Sequence, residues 1–183
     1  MYIENNKLYT SSKIEVKNVT ASTILVSGTT YEAKGKSVIV NLNSQWANST
    51  KSSISGYKCF QSSSNYNVSS GVAIMTITIK GLTEFTCYIR SYAESNYDYV
   101  MTGQLDKAIT GNSSYSDTTL VKAHTRGNQQ SGTALSNYTK VTYSGIDGGE
   151  HTITVVYRKD GSVNSGDDRG YLLIPDENLT INA

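Results

Sequence analysis

Along most of the 183 residues, polar and apolar positions alternate with a period of two, and clusters of Gly, Asn, Asp and Ser interrupt the alternation at short intervals. Successive side chains of a strand point to opposite faces, so this pattern predicts strands with one buried face and one wet face. Predicted strands cover residues 13–18 (KIEVKN), 22–27 (STILVS), 37–42 (SVIVNL), 56–61 (GYKCFQ), 72–80 (VAIMTITIK) and 84–92 (EFTCYIRSY). Further strands are predicted at 97–105 (YDYVMTGQL), 119–124, 138–144, 151–158, 170–174 and 179–182. Within 72–80, Met75, Ile77 and Ile79 make the apolar row, while Ile74, Thr76 and Thr78 face the other way. Ile153, Val155 and Tyr157 share one side of 152–158 in the same manner. No segment carries a helical stripe of ten or more residues. Short strands at this spacing predict an all-β fold, a two-sheet antiparallel β-sandwich of the jelly-roll type.

Turn chemistry fits. Asp147-Gly148-Gly149 reads as a hairpin turn between 139–144 and 151–158, with glycine supplying a positive φ. Asp160-Gly161 and Ser165-Gly166-Asp167-Asp168 form a polar loop ahead of the last apolar strand. The first residues differ in texture: their only aromatics are Tyr2, Tyr9 and Tyr31, and their short strands gather around Asn18, Gly28 and Gly35. Residues 1–37 are therefore expected to form an N-terminal strand arm or attachment segment, and 38–183 the sandwich; one continuous domain is the alternative. No internal repeat is visible.

Composition points the same way. The chain has 14 Tyr against two Phe and one Trp, a single Pro, and about a quarter Ser or Thr. Thr and Tyr suit a pleated, half-buried surface. The net charge of +1 comes from scattered Lys and Arg, with no basic stripe to neutralise phosphates, so nucleic acid is not an expected partner. No stretch approaches the roughly 20 apolar residues of a membrane span. Met1-Tyr-Ile-Glu-Asn-Asn offers neither the basic start nor the apolar run of a secretory leader, so the chain is expected to begin inside a cell as written, or to have lost a leader. Cys59 and Cys87 could pair, but two cysteines make no framework, and two small buried apolar side chains is the favoured reading.

Catalytic patterns are missing. His124 and His151 have no metal-ligand spacing and read as half-exposed polar strand positions. No G-x-S-x-G occurs. Among carboxylates, Glu84, Glu94 and Asp98 are the candidates for glycoside hydrolysis. Glu94 and Asp98 on one strand would stand roughly 13 Å apart, too far for either glycosidase geometry. The expectation is a non-enzyme. Asp160, Asp167 and Asp168, with the carbonyls of residues 161–166, are candidate oxygen ligands for Ca²⁺, although their spacing is not that of an EF-hand. The alternative is a solvated loop whose Asp and Gly serve turn geometry. Six Asn-x-Ser/Thr sequons, such as those at Asn18, Asn48 and Asn112, fall to chance in so Asn- and Ser-rich a chain.

The remaining signal is aromatic. Tyr66, Tyr92, Tyr97, Tyr99, Tyr115 and Tyr138 fall in or near polar stretches, and Arg126-Gly-Asn128-Gln-Gln130 adds planar hydrogen-bonding groups in an expected loop. A phenol has an apolar face and a polar tip, which suits sugar rings or a protein interface. Tyr66, Tyr97, Tyr99, Tyr115, Arg126, Asn128 and Gln130 are the candidate glycan-binding residues. The competing reading places several of these Tyr in the core or on the sheet with their hydroxyls at the rim.

Residues 149–174 (GEHTITVVYRKDGSVNSGDDRGYLLI) resemble a recurring hairpin in bacterial and phage β-sandwich domains of the lectin-like, concanavalin-type jelly roll. The matching residues are Tyr157, Lys159, Asp160, Gly161, Ser162, Gly166, Asp168 and Tyr171. Tyr171 stands where the partner aromatic is often Trp, and the Asp that commonly follows it is missing. Residues 81–105 are similar to domains of gut Bacteroidetes and of the phages that infect them. The resemblance spans about residues 42–174. It implies a virion appendage or a surface carbohydrate-binding module. The leading expectation is a non-enzymatic bacteriophage virion component (fibre, tail or head-surface protein). Its arm would join other virion proteins or copies of itself, and its sandwich would face a host-surface glycan. A carbohydrate-binding module on a bacterial surface is the alternative. A glycan-cleaving enzyme comes third and needs two carboxylates about 5–10 Å apart.

Overall fold

The structure is a computed structural model and describes residues 2–4, 7–9, 24–26, 30–33, 35–49, 54–65, 70–129, 134–161 and 163–176. The strands expected at 13–18 and 179–182 lie outside the described residues, as do Tyr66, Gln130 and Ser162. Fourteen strands are present among the described residues. The larger sheet holds β3 (Ile24–Val26), β4 (Thr30–Ala33), β5 (Lys36–Asn41), β8 (Val72–Lys80), β10 (Tyr99–Gly103), β11 (Val121–Arg126) and β13 (Glu150–Arg158). Its order is β11-β10-β13-β8-β5-β4-β3. The smaller sheet runs β12-β9-β14-β7-β6, built from β6 (Trp46–Asn48), β7 (Tyr57–Ser62), β9 (Glu84–Tyr92), β12 (Thr139–Ser144) and β14 (Arg169–Pro175). β1 (Tyr2–Glu4) and β2 (Lys7–Tyr9) form a two-stranded sheet of their own. All strand pairs are antiparallel. Helical structure among the described residues is confined to one 3₁₀ turn, Leu135–Asn137, and to Asp176 after the last strand, and no helix there is long and apolar enough to cross a membrane.

The chain is thus an all-β two-sheet sandwich, and its core follows the period-two pattern. Ala73, Met75, Ile77 and Ile79 of β8 turn inward with Ile153, Val155 and Tyr157 of β13. Facing them from the smaller sheet are Phe60, Phe85, Cys87, Ile89, Leu172 and Ile174. Trp46 closes one end. Complete burial of such side chains stabilises by roughly 1.5–3 kcal/mol each, which makes this layer the main driving force.

Both outer faces are partly covered. Residues 104–120, between β10 and β11, lay Ile109, Tyr115 and Leu120 over Tyr99, Met101 and Val156 of the larger sheet. Cys59, Tyr138, Tyr171 and Leu173 form a third cluster with Ile54, Tyr57, Tyr88 and Leu135. Tyr171 and Leu173 alternate with the inward Leu172 and Ile174 of β14, so this cluster covers the outer face of the smaller sheet.

From β5 onward every connection switches sheets except the β6–β7 and β10–β11 hairpins. That corrects one turn. Asp147-Gly148-Gly149 has the expected positive φ at Gly148 (82°), but it is not a hairpin turn. β12 pairs with β9 and β13 with β8 and β10, so the turn carries the chain between sheets. The same holds for 149–174: β13 and β14 lie in different sheets and do not form a hairpin. The reason is burial. Both β13 and β14 are buried on two faces along most of their length, as suits interior strands flanked on each side.

Near the expected boundary at residue 37, β4 pairs with β5 and β3 with β4, so both are hydrogen-bonded into the larger sheet. Where β5 ends, side chains continue its work. Asn43 Nδ2 donates to the Ile74 carbonyl (2.8 Å), Gln45 Oε1 accepts from the Ile74 amide (3.1 Å), and Gln45 Nε2 donates to the Val72 carbonyl (3.3 Å). The edge of β8 is thereby satisfied without a neighbouring strand.

Cys59 and Cys87 are free and buried. Cys59 belongs to the outer cluster and Cys87 to the inner core, with β14 between their strands.

Candidate glycan-binding face

Tyr99 of β10 lies opposite Arg126 of β11 on one side and Arg158 of β13 on the other. Residues directly opposite across antiparallel strands share a face. Tyr99, Arg126 and Arg158 therefore stand together on the outer face, joined by His124 two residues along β11. The 104–120 loop completes the group. Tyr115 meets Tyr99 edge-on, ring centroids 5.5 Å apart at 71°, and lies 4.9 Å from the His124 ring. Arg126 donates from Nη2 to the Tyr115 hydroxyl (2.9 Å), its guanidinium 5.0 Å from that ring centre. Arg158 donates from Nη1 to the Tyr99 hydroxyl and lies 5.5 Å from the Tyr99 ring. Each phenol thus holds one guanidinium by a hydrogen bond and a cation–π contact. Neither guanidinium meets a carboxylate among the described residues. Burial first, and then the Arg126 charge, hold the His124 pKa below its ordinary value, so its imidazole is neutral at pH 7.

The loop that presents Tyr115 is fixed locally. Thr110 and Ser113 close one turn through the Thr110 amide and Ser113 Oγ (2.9 Å). Asp117 closes the next by accepting from the Thr119 amide (3.0 Å) and hydroxyl (2.6 Å), which also holds its carboxyl below the usual range. Gly111 lies so close to Val72 that a Cβ there would come within 2.5 Å of it.

Beyond the patch, Gly127 joins β11 to the turn after β9. Its amide donates to the Asp98 carbonyl, and Asn96 donates back to the Gly127 carbonyl (3.2 Å). A Cβ on Gly127 would sit 1.8 Å from the Glu94 carbonyl oxygen, so only glycine fits.

No family model, curated protein or solved structure matches the chain. The site is therefore argued from its own geometry.

Of the expected glycan-binding residues, the fold brings Tyr99, Tyr115 and Arg126 into one patch. Tyr99 is a packed strand residue with its hydroxyl engaged, in the strand its segment predicts. Tyr138 is likewise buried. Tyr97, 58% exposed, and Asn128, whose amide donates to the Ser91 carbonyl (3.0 Å), lie on the adjoining turn beside Gly127. Arg158 joins the patch without having been singled out, and so does His124, which the sequence marks only as a polar strand position. Their place depends on β10 lying between β11 and β13, which no local pattern encodes.

A second feature of the same face is a depression of about 280 Å³ lined by Thr76, Thr152 and Thr154 with Asp106, Lys107 and Ala108. His151 braces its rim, Nδ1 lying 2.7 Å from Asp106 and Nε2 2.8 Å from Asp147.

In the acidic loop each of the three Asp has a partner within the protein. Asp168 is buried against Lys159 (3.0 Å) and also accepts from the Ser165 amide (3.2 Å). Asp167 accepts from the Tyr171 hydroxyl (2.7 Å). The Asp160 amide donates to Asp98 Oδ1 (2.8 Å). No group of three or more His, Cys, Asp or Glu among the described residues is arranged to hold a metal ion. Glu94 and Asp98 flank a turn and are not on one strand: the Glu94 amide donates to Asp98 Oδ2 (3.3 Å). Burial raises the Asp98 pKa, and its two oxygens clamp the 94–98 turn to the 160 loop.

Proposed function

We propose that this chain is a non-enzymatic adhesion and structural component of a bacteriophage virion, a fibre, tail or head-surface protein, whose sandwich binds host-surface glycan through the outer face of the larger sheet. The observation that carries the glycan reading is the patch of Tyr99, Tyr115, Arg126 and Arg158. The half-buried Tyr115 ring, backed by the buried Tyr99, offers apolar surface to the C–H face of a sugar, and the guanidiniums held by these two phenols donate to its oxygens at little further entropic cost. The threonine-lined depression on the same face adds hydroxyls of the kind that meet saccharides through direct or water-mediated bonds.

The virion reading rests on the resemblance of residues 42–174 and on the β1–β2 hairpin. A two-stranded sheet is marginal alone in water and gains stability by pairing with a particle or with copies of itself.

Electrophoresis of the purified chain through gels containing bacterial capsular polysaccharides tests the first part. Retardation that disappears in Tyr115→Ala supports it, and unchanged mobility across the panel overturns it. Molar mass in solution tests the second. A discrete oligomer that falls to monomer when residues 1–23 are removed supports attachment through the arm. A monomer in both cases would reassign the chain to a carbohydrate-binding module.

A further inference from the structure

We infer that the saccharide taken by the Tyr99–Tyr115 face is acidic, a polysaccharide bearing carboxylates of the uronic acid type. This inference rests on the glycan-binding reading above and adds the class of ligand. Two guanidiniums flank one phenol. Arg126 and Arg158 are each the cross-strand neighbour of Tyr99, so their backbones stand two strand spacings apart, roughly 10 Å.

Each guanidinium has five N–H donors, and among the described residues each gives one to a tyrosine hydroxyl and none to a carboxylate. A guanidinium that meets no carboxylate among the described residues, on a face already furnished with aromatic rings, is matched by a planar anion it can grip with two parallel bonds. A carboxylate on a sugar ring provides that anion and brings an apolar ring surface with it. The hydrogen bond and ring contact of Arg126 with Tyr115, and of Arg158 with Tyr99, hold both forks before a ligand arrives. The neutral His124 beside them adds a donor and an acceptor without competing charge.

The positive character is local. The chain carries +1 overall, with 16 Lys and Arg against 15 Asp and Glu, so general attraction to polyanions does not explain such a site. A neutral glycan would leave both forks facing water and gain only from the rings.

The test compares polygalacturonate, alginate and hyaluronate with their methyl esters, which keep the backbone and remove the charge. It uses the full chain in about 0.15 M salt, where long-range attraction is screened. Dextran sulphate serves as a charge-only control. Binding of at least one acid form about tenfold tighter than its ester is expected, with Arg126→Gln and Arg158→Gln each weakening it by a similar factor at unchanged melting temperature. Equal binding of acid and ester overturns the acidic class while leaving glycan binding intact. Binding of dextran sulphate as tight as that of the acid forms, indifferent to both Arg variants, overturns a specific site. If no saccharide binds, acidic or neutral, both the inference and the glycan reading fall.

Discussion

The Lys159 ammonium lies 3.0 Å from the Asp168 carboxylate, with 1% of one side chain and none of the other exposed. The same ammonium donates to the Asn65 carbonyl (3.1 Å) and to Asn164 Oδ1, so each of its three protons has an oxygen. A side-chain cation thus sits against Asp168, one of the three acidic residues that the sequence offers to calcium. Removing one partner of such a pair strands the other charge in the interior, at a cost of about 3–5 kcal/mol. Lys159→Met is expected to lower the unfolding free energy in urea by that amount, whereas dialysis against a chelator should leave the melting temperature unchanged. A melting temperature that falls after chelation would show that a bound cation contributes as well.

His151 couples stability to pH. Its hydrogen bonds to Asp106, and then to Asp147, raise its pKa above the ordinary 6.5, while both carboxyls are lowered from 3.8 chiefly by that same imidazole. The histidine contribution is fully present below pH 6.5 and is lost as pH rises through the elevated value. The carboxylate contribution is present above 3.8 and is lost as pH falls through the lowered values. All three groups are charged between about pH 4 and 6.5, so the melting temperature of the native chain should exceed that of His151→Gln most in that window. The gap should narrow as pH rises above 6.5 and through the elevated value. A constant difference from pH 5 to 9 would show that the imidazole acts only by packing.

Gly127→Ala is a backbone test of the patch. The added methyl would fall 1.8 Å from the Glu94 carbonyl, so the 94–98 turn or the end of β11 has to move. A loss of about 1–3 kcal/mol is expected, in the range for forced overpacking. Movement of β11 would also carry Arg126 away from Tyr115. Saccharide binding should therefore weaken together with stability, which a titration and a urea melt on the same sample would reveal.

Both thiols should be inert in the native protein. Burial pushes the Cys59 thiol up to about 11 and the Cys87 thiol up to about 12, so almost no thiolate exists at neutral pH. Ellman's reagent is expected to titrate neither until denaturant is added, and then both. Rapid reaction of one thiol in buffer would mean that its strand opens locally.

Much of the fold is legible in the sequence because one physical rule, burial of alternate side chains, produces it. The 72–80 and 84–92 segments coincide with β8 and β9 to the residue, and the inward row of β8 is the one its alternation indicates. Short strands escape that rule. Trp46–Asn48 has too few residues to show a period, and it forms because Trp46 is anchored in the core and Asn43 turns the chain ahead of it by accepting from the Gln45 and Trp46 amides. Asp98 reads as a strand residue because Tyr97, Tyr99 and Met101 alternate with it, yet it closes a turn through the Glu94 amide. The site is only half legible. Tyr115 and Arg126 stand out by residue type, but Arg158 reaches them because β13 enters the sheet beside β10, far from it in the chain.

β14 is the last strand described, and it lies between β9 and β7 in the smaller sheet. A chain still emerging from the ribosome therefore holds that sheet as two pieces, each with an open edge toward the gap, until residues 169–175 are made. The core cannot close early. Most of its pairings also join segments distant along the chain, a topology that folds slowly. Partial chains exposing such edges are prone to stick to one another. Closure of the sandwich thus waits for residues 169–175, and fragments that stop short of residue 169 should aggregate more readily than chains that include them.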